Sequence, residues 1–212
     1  MIHCNCIKQH SLDTFGHLVA QVGYVKNVKG GIMQGVERYK VRLLPFDDNW
    51  FAEFLEVKTQ IEGIWTENVI DIQHIGSTSI RNIFAKPILD IAVVLKSFKT
   101  MDVDAMKRVG YDYCGPQNPE NSRFLFVLRD EDEISLHHLH CYEPDDENYL
   151  FCTRFRDYLN NHPDDAKKYS ELKRKLAEQY PDDRLAYTDG KDDFIQSIYA
   201  KIISQTDLST IS

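Results

Sequence analysis

The amino-acid sequence predicts an α+β (mixed α/β) fold, in which helices flank a small mixed sheet and a helical part follows at the carboxyl end. Three observations lead to this class. An amphipathic helical segment precedes two β-rich runs, at 69–75 and 87–95. Two further β-rich runs flank the acidic turn DEDE at 130–133. Beyond Pro144 the apolar period becomes helical, so the strands largely precede the carboxyl-terminal helices.

The first predicted helix follows Pro45. Asp47 or Asp48 is suited to its amino-terminal cap, because a short carboxylate accepts hydrogen bonds from free backbone N–H groups. Its apolar face is predicted from positions three and four apart, which are Phe51, Phe54, Leu55, Lys58, Ile61 and Trp65. The preceding run, 39–46, alternates apolar and basic side chains and contains a proline near its end, which predicts a short edge strand or an extended lead-in.

The next elements are two strands separated by a turn. The run 69–75 is short and rich in β-branched residues, which predicts a strand. GSTS at 76–79 predicts a turn, and 80–84 predicts a short helical turn. The run 87–95 is apolar at nearly every position, which predicts a central strand covered on both faces.

The rest of the chain divides into a helix, a hairpin and three helices. A helix is predicted over 100–110, where Gly110 is suited to ending it. Residues 111–122 are predicted to form a loop, and 123–143 a hairpin of two strands. The carboxyl-terminal helices are predicted over 149–162, 164–180 and 191–204, the first two separated by Pro163.

Composition and charge limit the classes of function. The chain has 212 residues, is 42% hydrophobic and carries a formal net charge of −8, which is typical of a globular, acidic domain. Such a chain has no general attraction for nucleic acid or anionic membranes, so neither is predicted as a partner. No run approaches the roughly 20 apolar residues of a membrane span, and no signal pattern precedes the domain. The five scattered cysteines are expected to be free thiols, which together with these features predicts a cytoplasmic protein.

Residues 1–36 are predicted to be an N-terminal extension, disordered or not native, ahead of a single domain over 37–212. Residues 1–32 carry three lysines and one aspartate, whereas the rest of the chain is strongly acidic. The tetrapeptide KGGI, directly before Met33, can be encoded by a purine run that resembles a bacterial ribosome-binding site. Our hypothesis is that Met33 is the natural start; the alternative is a flexible N-terminal arm.

The GSTS turn has the composition of a phosphate-binding loop. Gly76 allows a tight turn and close approach of a ligand. Ser77, Thr78 and Ser79 place hydroxyl groups beside backbone N–H groups. If a helix begins at Ile80, its amino-terminal end would favour an anion in front of the loop. The alternative is that a hydroxyl group of this turn only caps the helix.

Asp90 is the one carboxylate within the apolar run 87–95. A buried, unpaired carboxylate is unfavourable, so Asp90 is expected to face a metal ion, a basic partner or a cleft. With the GSTS turn it could flank one ligand, with Mg²⁺ between them. The alternative is a buried aspartate paired with Lys86 or Arg123.

HIGSTSI at 74–80, followed by AKPILDIAV at 85–93, resembles the GrpB family, which is related to the nucleotidyltransferase superfamily. The resemblance covers about residues 39–200. It continues in RFLF at 123–126, HLH at 138–140, FRDYLNNHP at 155–163, YSELK at 169–173 and YTDGKDDFI at 187–195. It implies a nucleotidyltransferase-like fold, with a small mixed sheet, flanking helices and a helical carboxyl-terminal part.

The resemblance also implies roles for individual residues. Gly76 and Ser77 would hold phosphate, and Asp90 would be the first ligand of a divalent metal, Mg²⁺ or Mn²⁺. The position of the second carboxylate is Ala92, so another ligand must come from elsewhere. His138 and His140 lie two apart on a predicted strand and so face the same side. With Asp90 they would form a two-histidine, one-carboxylate site that suits a transition metal; the alternative is that they are ordinary hydrogen-bonding residues.

Basic side chains are needed to neutralise phosphate groups, and Lys86, Arg123 and Lys191 are the candidates, with Arg156 as a fourth. The predicted function is metal-dependent transfer of a nucleotidyl group from an NTP to a small-molecule or protein acceptor. One alternative is a non-catalytic module that binds a nucleotide or phosphorylated metabolite. Another alternative is a metal-dependent phosphohydrolase, which follows if Asp90, His138 and His140 hold a transition metal.

Overall fold

The structure, a computed structural model, describes residues 33–117 and 123–209. Within these residues the helices are α1 (Asn49–Trp65), α2 (Val103–Arg108), α3 (Glu147–Asn161), α4 (Pro163–Gln179), α5 (Arg184–Asp189) and α6 (Asp192–Ser209). The strands are β1 (Val69–Ile75), β2 (Leu89–Leu95), β3 (Tyr111–Pro116), β4 (Arg123–Arg129) and β5 (Ser135–Tyr142).

The five strands form one mixed sheet in the order β1-β2-β5-β4-β3. Strand β2 is antiparallel to β1 and parallel to β5, and β4 is antiparallel to both β5 and β3. Since β2 lies inside the sheet and six of its seven residues are buried, the predicted covered strand is confirmed. The predicted α+β class, a small mixed sheet flanked by helices, is also confirmed.

One face of the sheet carries the main core. Helix α1 packs on it through Trp50, Phe54, Val57, Ile61 and Trp65. The predicted apolar face of this helix was therefore wrong in part, since Phe51 and Leu55 are 56% and 47% exposed. Spacings of three and four fit two overlapping stripes on one helix, and only the position of the sheet selects between them.

The other face of the sheet carries polar side chains and is covered by α3. Tyr149 and Cys152 of α3 pack against Ile75, Ala92 and Tyr142. Helices α3, α4 and α6 form a second apolar cluster, which includes Ile80 and Ile83 from the segment before β2. This segment therefore connects the sheet to the carboxyl-terminal helices.

Two local predictions were wrong. Residues 111–116 form strand β3 and not a loop, because Tyr113 packs on the rings of Phe124 and Phe126. A 3-10 turn covers Ser77–Ser79, and the helical turn predicted over 80–84 does not form, since Ile80 is extended. Of the two alternatives predicted for 39–46, the structure shows the extended lead-in, with one bridge from Leu44 to Ala85.

The short helix α5 was missed by the sequence analysis. The Asp183 carboxylate caps it by accepting from the N–H groups of Leu185 and Ala186. The other predicted elements, including the helix pair separated by Pro163 and the hairpin around 130–133, are confirmed to within a few residues. None of the helices in the described parts of the chain is long and apolar enough to cross a membrane.

The predictions for residues 1–32 lie outside the described residues. Met33 and Val36 are buried, at 2% and 6% exposed, and Val36 forms a bridge to Ser135. The packed part of the chain therefore includes residues ahead of the predicted boundary at 37. Cys141 and Cys152 are free thiols as expected, whereas Cys114 is disulfide-bonded, so the expectation of free thiols fails there.

Candidate functional site

A row of polar side chains crosses the sheet face beneath α3. Asp90 of β2 lies opposite His138 of β5, and Ala92 lies opposite His140. Side chains alternate along a strand, so the two histidines and Asp90 share one face. The predicted grouping of Asp90, His138 and His140 is therefore brought together by the parallel pairing of β2 with β5.

The three side chains form a compact cluster. Nδ1 of His138 lies 3.1 Å from Oδ1 of Asp90, and Nε2 of His140 lies 3.7 Å from the same oxygen. Burial alone would raise the pKa of Asp90, but the hydrogen bond from His138 and the neighbouring His140 imidazole hold that pKa well below its usual range. Burial lowers the pKa of His138, partly offset by Asp90. The carboxylate is therefore charged at neutral pH.

These donors fit a divalent metal ion. One oxygen of Asp90 and one nitrogen from each histidine all lie within 4.8 Å of one another. Nδ1 of His140 is buried without a hydrogen-bond partner in the described chain, and its Nε2 is too far from Asp90 for a normal hydrogen bond. An imidazole with unsatisfied nitrogens is a suitable ligand, and two imidazoles with one carboxylate suit a transition metal.

Gly76 lies directly against this cluster. Its backbone has φ +71°, and a Cβ atom at this position would lie 2.8 Å from Cβ of Asp90 and closer still to the carboxylate. Both the left-handed backbone and the contact require glycine. The Gly76 backbone therefore approaches the carboxylate more closely than any other residue type would allow.

The hydroxyl groups of the GSTS turn differ in their surroundings. The Ser77 hydroxyl lies near Tyr169 of α4, where it partly opposes the rise that burial causes in the pKa of Tyr169. Thr78 is buried, and its Oγ1 donates to the Ile88 carbonyl and contacts Nε2 of His74. Oγ of Ser79 donates to the Gly76 carbonyl at 2.6 Å. The structure thus places Ser77 between the turn and α4, whereas Thr78 and Ser79 serve the fold of the turn.

No helix begins at Ile80, so the expected helix dipole does not act on an anion in front of this turn. The 3-10 turn is three residues long and is followed by extended backbone at Ile80, so no helix end faces the cluster. His74 precedes the turn but points to the core face, where it stacks on Phe54. Burial lowers the pKa of His74 to about 4, so this imidazole is neutral.

Lys86 and Lys191 converge on one aromatic ring. Their Nζ atoms lie 5.4 Å and 4.7 Å from the centre of the Tyr187 ring. Burial, with repulsion from Arg184 and Lys191, lowers the pKa of Lys86 to about 7. Burial, opposed by attraction to Asp90 and reinforced by Arg184, lowers the pKa of Lys191 to about 8. Asp90 acts in the opposite direction and raises the pKa of both lysines, so both lie within its electrostatic reach.

Arg123 and Arg156 lie apart from these lysines. Arg123 pairs with Tyr142 in the sheet, four residues beyond His138 along β5, and its Nε is buried without a partner in the described residues. Arg156 is engaged in structural contacts, because its Nη1 donates to Oε1 of Gln73 and to the His74 carbonyl at 2.9 and 2.8 Å. Neither arginine joins the group around Tyr187.

Lys173 is a residue that the sequence analysis did not select. Its side chain is 1% exposed, and its Nζ has no hydrogen-bond partner within the described chain. Burial, with repulsion from Lys191 and Lys86, lowers the pKa of Lys173 well below its usual value. The available signal was the spacing in YSELK and YTDGK, which both place a lysine four residues after a tyrosine.

Ala92, at the position where the resemblance implies a second carboxylate, lies in an apolar environment. Ala92 is 0% exposed and belongs to the apolar cluster with Ile75, Val94 and Tyr142. Tyr149 and Cys152 of α3 cover this cluster. No carboxylate from the described residues replaces the missing one, because the metal-ligand group there contains only Asp90, His138 and His140.

Comparison with known proteins agrees with this fold. A family model described as GrpB protein matches residues 40–201. "Glutamate-rich protein GrpB" of Alkalihalophilus pseudofirmus is 35% identical over 170 residues, which are 78% of this chain and 98% of that protein. "UPF0157 protein YqkA" of Bacillus subtilis is 34% identical over 193 residues, which are 85% of this chain and 54% of YqkA. The chain therefore spans about half the length of YqkA.

A solved structure has the same fold. The crystal structure of conserved protein GrpB from Enterococcus faecalis matches with a TM-score of 0.70 at 30% identity, covering 78% of this chain and 99% of that chain. The mixed five-stranded sheet flanked by helices is therefore the fold of a GrpB protein. This chain belongs to the GrpB family.

Proposed function

We propose that this protein binds an NTP with a divalent metal ion and transfers the nucleotidyl group to a small-molecule or protein acceptor, as a nucleotidyltransferase-like enzyme. The observation that carries the proposal is the position of Asp90, His138 and His140 under Gly76, beside Lys86 and Lys191. A set of metal ligands next to desolvated ammonium groups matches the charge of a phosphate chain bound to a metal ion.

Each element of the site has a part in this proposal. A divalent ion held by Asp90, His138 and His140 would neutralise charge on the transferring phosphoryl group. The Gly76 backbone lies directly against the Asp90 carboxylate, so a phosphate group on an ion held by Asp90 would lie next to this backbone. Lys86 and Lys191 would bind phosphate oxygens, and each lysine would regain its proton when an anion lies beside it.

A second candidate is a module that binds the nucleotide without turnover. The observation that favours it is Ala92, because transfer by two shared metal ions normally uses more than one carboxylate. The apolar contacts around Ala92 leave no place for a charged ligand at that position. A single ion on Asp90 and two histidines supports binding as readily as it supports catalysis.

The experiment is a thermal-shift series with NTPs and Mg²⁺, Mn²⁺ or Zn²⁺, followed by an assay of pyrophosphate release. Binding to the native state raises the melting temperature. Release of pyrophosphate with labelling of an acceptor supports transfer, a shift without turnover supports the binding module, and release of orthophosphate alone indicates a phosphohydrolase. If no NTP and metal pair shifts the melting temperature, both nucleotide proposals fail.

Asp90→Asn tests the metal ligands, with Asp104→Asn on the exposed surface of α2 as the matched control. We expect Asp90→Asn to lower metal affinity by at least about tenfold to a hundredfold, which is the effect of replacing residues that only orient ligands. The rise in melting temperature on adding metal should shrink accordingly. Asp104→Asn should behave as the unaltered protein. An Asp90→Asn protein that keeps full metal affinity would exclude the ion from this position.

A further inference from the structure

Two helical segments of the carboxyl-terminal part present the same arrangement of side chains. In α4, Nζ of Lys173 lies 4.6 Å from the centre of the Tyr169 ring. Across the junction of α5 and α6, Nζ of Lys191 lies 4.7 Å from the centre of the Tyr187 ring. In each pair the lysine follows the tyrosine by four residues, so one turn of chain places an ammonium group over an aromatic face.

The two pairs meet at a third lysine. Lys86 also lies over the Tyr187 ring, at 5.4 Å. The charges of Lys86 and Lys191 both act on Lys173, and the charge of Arg184 acts on Lys86 and Lys191. Four cationic groups are therefore gathered in one place. We call Lys86, Lys173 and Lys191 the lysine cluster.

The lysine cluster has no anionic partner of its own. Among the described residues, no carboxylate lies within ion-pair distance of any of the three ammonium groups. Lys173 is the most buried member, and its Nζ has no hydrogen bond in the described chain. Burying an ammonium group without a partner is strongly unfavourable. The aromatic faces of Tyr169 and Tyr187 offset only part of the free energy lost by burying these ammonium groups, since a cation over a ring contributes far less than an ion pair.

The lysine cluster is joined to the GSTS turn. Tyr169, which lies under Lys173, is also near Ser77, whose hydroxyl partly opposes the rise that burial causes in the pKa of Tyr169. Oγ of Ser170 accepts from the N–H group of Phe84 at 2.9 Å, which ties α4 to the segment leading to Lys86. The lysine cluster and the candidate metal ligands thus border the same loop, and Lys86 and Lys191 are half-buried.

We propose that the lysine cluster is a binding site for a polyphosphate chain of two or three phosphates, with Lys173 as the contact at its buried end, and that it selects such chains over a single phosphate. This rests on the proposed function for the adjoining metal site. Three ammonium groups match an anion of three or more negative charges, whereas one phosphate group cannot neutralise all of them. The substrate class that follows is a nucleoside diphosphate or triphosphate, not a monophosphate.

The test measures binding of inorganic triphosphate, pyrophosphate and orthophosphate by calorimetry, in EDTA so that the metal site takes no part. For the unaltered protein we expect triphosphate and pyrophosphate to bind at least about tenfold more tightly than orthophosphate, because each additional charged hydrogen bond changes affinity by about that factor. Equal affinity for all three anions would overturn the proposal.

Lys173→Met is the informative variant, with Lys175→Met on the exposed face of the same helix as the control. Methionine is one atom shorter than lysine, fills most of the same space and removes the buried charge, so the folded protein should melt at the same or a higher temperature. We expect Lys173→Met to lose about tenfold or more in triphosphate affinity, and Lys175→Met to lose less than about twofold. An unchanged affinity in Lys173→Met would also overturn the proposal.

The outcomes separate this inference from the proposed function. If triphosphate binds in EDTA and no NTP is turned over with any metal, the lysine cluster stands and nucleotidyl transfer fails. If NTP turnover requires Asp90 but is indifferent to Lys173→Met, the transfer stands and the role of Lys173 fails. If Lys173→Met does not fold, the affinities of the unaltered protein for triphosphate, pyrophosphate and orthophosphate decide whether the proposal stands.

Discussion

At Gly76 the backbone lies directly against Asp90 of the candidate metal site, and this residue tolerates no side chain. Gly76→Ala would force a left-handed backbone on alanine and push its Cβ into Asp90. The backbone strain alone is about 1–2 kcal/mol, and the displaced carboxylate should abolish metal binding. Gly63→Ala is the control, because nothing lies within 4 Å of its Cβ position in α1 and alanine there should stabilise by about 0.5–1 kcal/mol. Urea unfolding and metal titration measure both effects.

The lowered pKa values of Lys86 and Lys191, about 7 and 8, predict that anion binding depends on pH. Above these values the folded protein holds neutral amines, and a bound anion favours the ammonium form, so binding takes up protons. Triphosphate affinity should therefore fall as the pH rises from 6 to 9. Calorimetry in buffers of different ionisation enthalpy measures the uptake. Triphosphate also titrates in this range, and its contribution is the same for the unaltered protein and for Lys86→Met. The Lys86→Met variant should therefore lose only the part of the pH dependence that Lys86 supplies. An identical pH profile of triphosphate affinity in both proteins would contradict the prediction.

At the scale of elements, Asp165 connects the carboxyl-terminal helices. Its carboxylate accepts from the Tyr158 hydroxyl at 2.9 Å in α3 and from Nζ of Lys201 at 2.7 Å in α6. The hydrogen bond from Lys201, opposed by burial, holds the pKa of Asp165 well below its usual range. This contact therefore contributes stability above the unfolded pKa near 3.8, and the contribution is lost as the pH falls through the folded value.

Asp165→Asn should lower the free energy of unfolding by about 1–3 kcal/mol at pH 7, since it weakens charge-assisted hydrogen bonds at a buried position. Asp164→Asn, one residue earlier and exposed, should change it by less than about 1 kcal/mol. Urea denaturation at pH 7 and in acid measures both. The difference in the free energy of unfolding between Asp165→Asn and the unaltered protein should shrink in acid. A difference that stays the same would contradict this account.

The elements also show how far sequence patterns reach. Strands β1, β2, β4 and β5 followed from runs of β-branched and apolar residues, because these runs carry the period of a covered sheet. Strand β3 did not, since residues 111–122 combine Gly115 and Pro116 with polar residues that also suit a loop. Its pairing depends on contacts between Tyr113 and the rings of β4, which no local pattern contains.

At the scale of the whole molecule, the buried position of Met33 bears on the hypothesis of a start at that residue. Its backbone N donates to Oε2 of Glu53 at 2.8 Å, and the other oxygen of Glu53 lies 2.7 Å from Nε2 of His137. If the chain begins at Met33, this N–H becomes an ammonium group beside a carboxylate, which strengthens the hydrogen bond.

A chain beginning at Met33 should therefore be as stable as the full chain or more so, by up to about 1–3 kcal/mol, in urea unfolding at pH 7. The Glu53→Gln variant of each chain is the control, because the gain should disappear when the carboxylate is removed. A shorter chain that is less stable or binds triphosphate less tightly would refute the hypothesis for Met33.

The sequence by itself determined the α+β class, most of the elements and the family motifs. It also determined that His138 and His140 face one side, because alternation along a strand is a local property. Only the tertiary structure decided that Asp90 joins them, since strands 48 residues apart had to pair in parallel with the right register. The docking of α4 and α6 also decided which cations gather, bringing Lys173 to Lys86 and Lys191 and leaving Arg123 and Arg156 elsewhere. Local patterns record the period of an element, whereas the convergence of distant side chains depends on packing between elements that no single segment encodes.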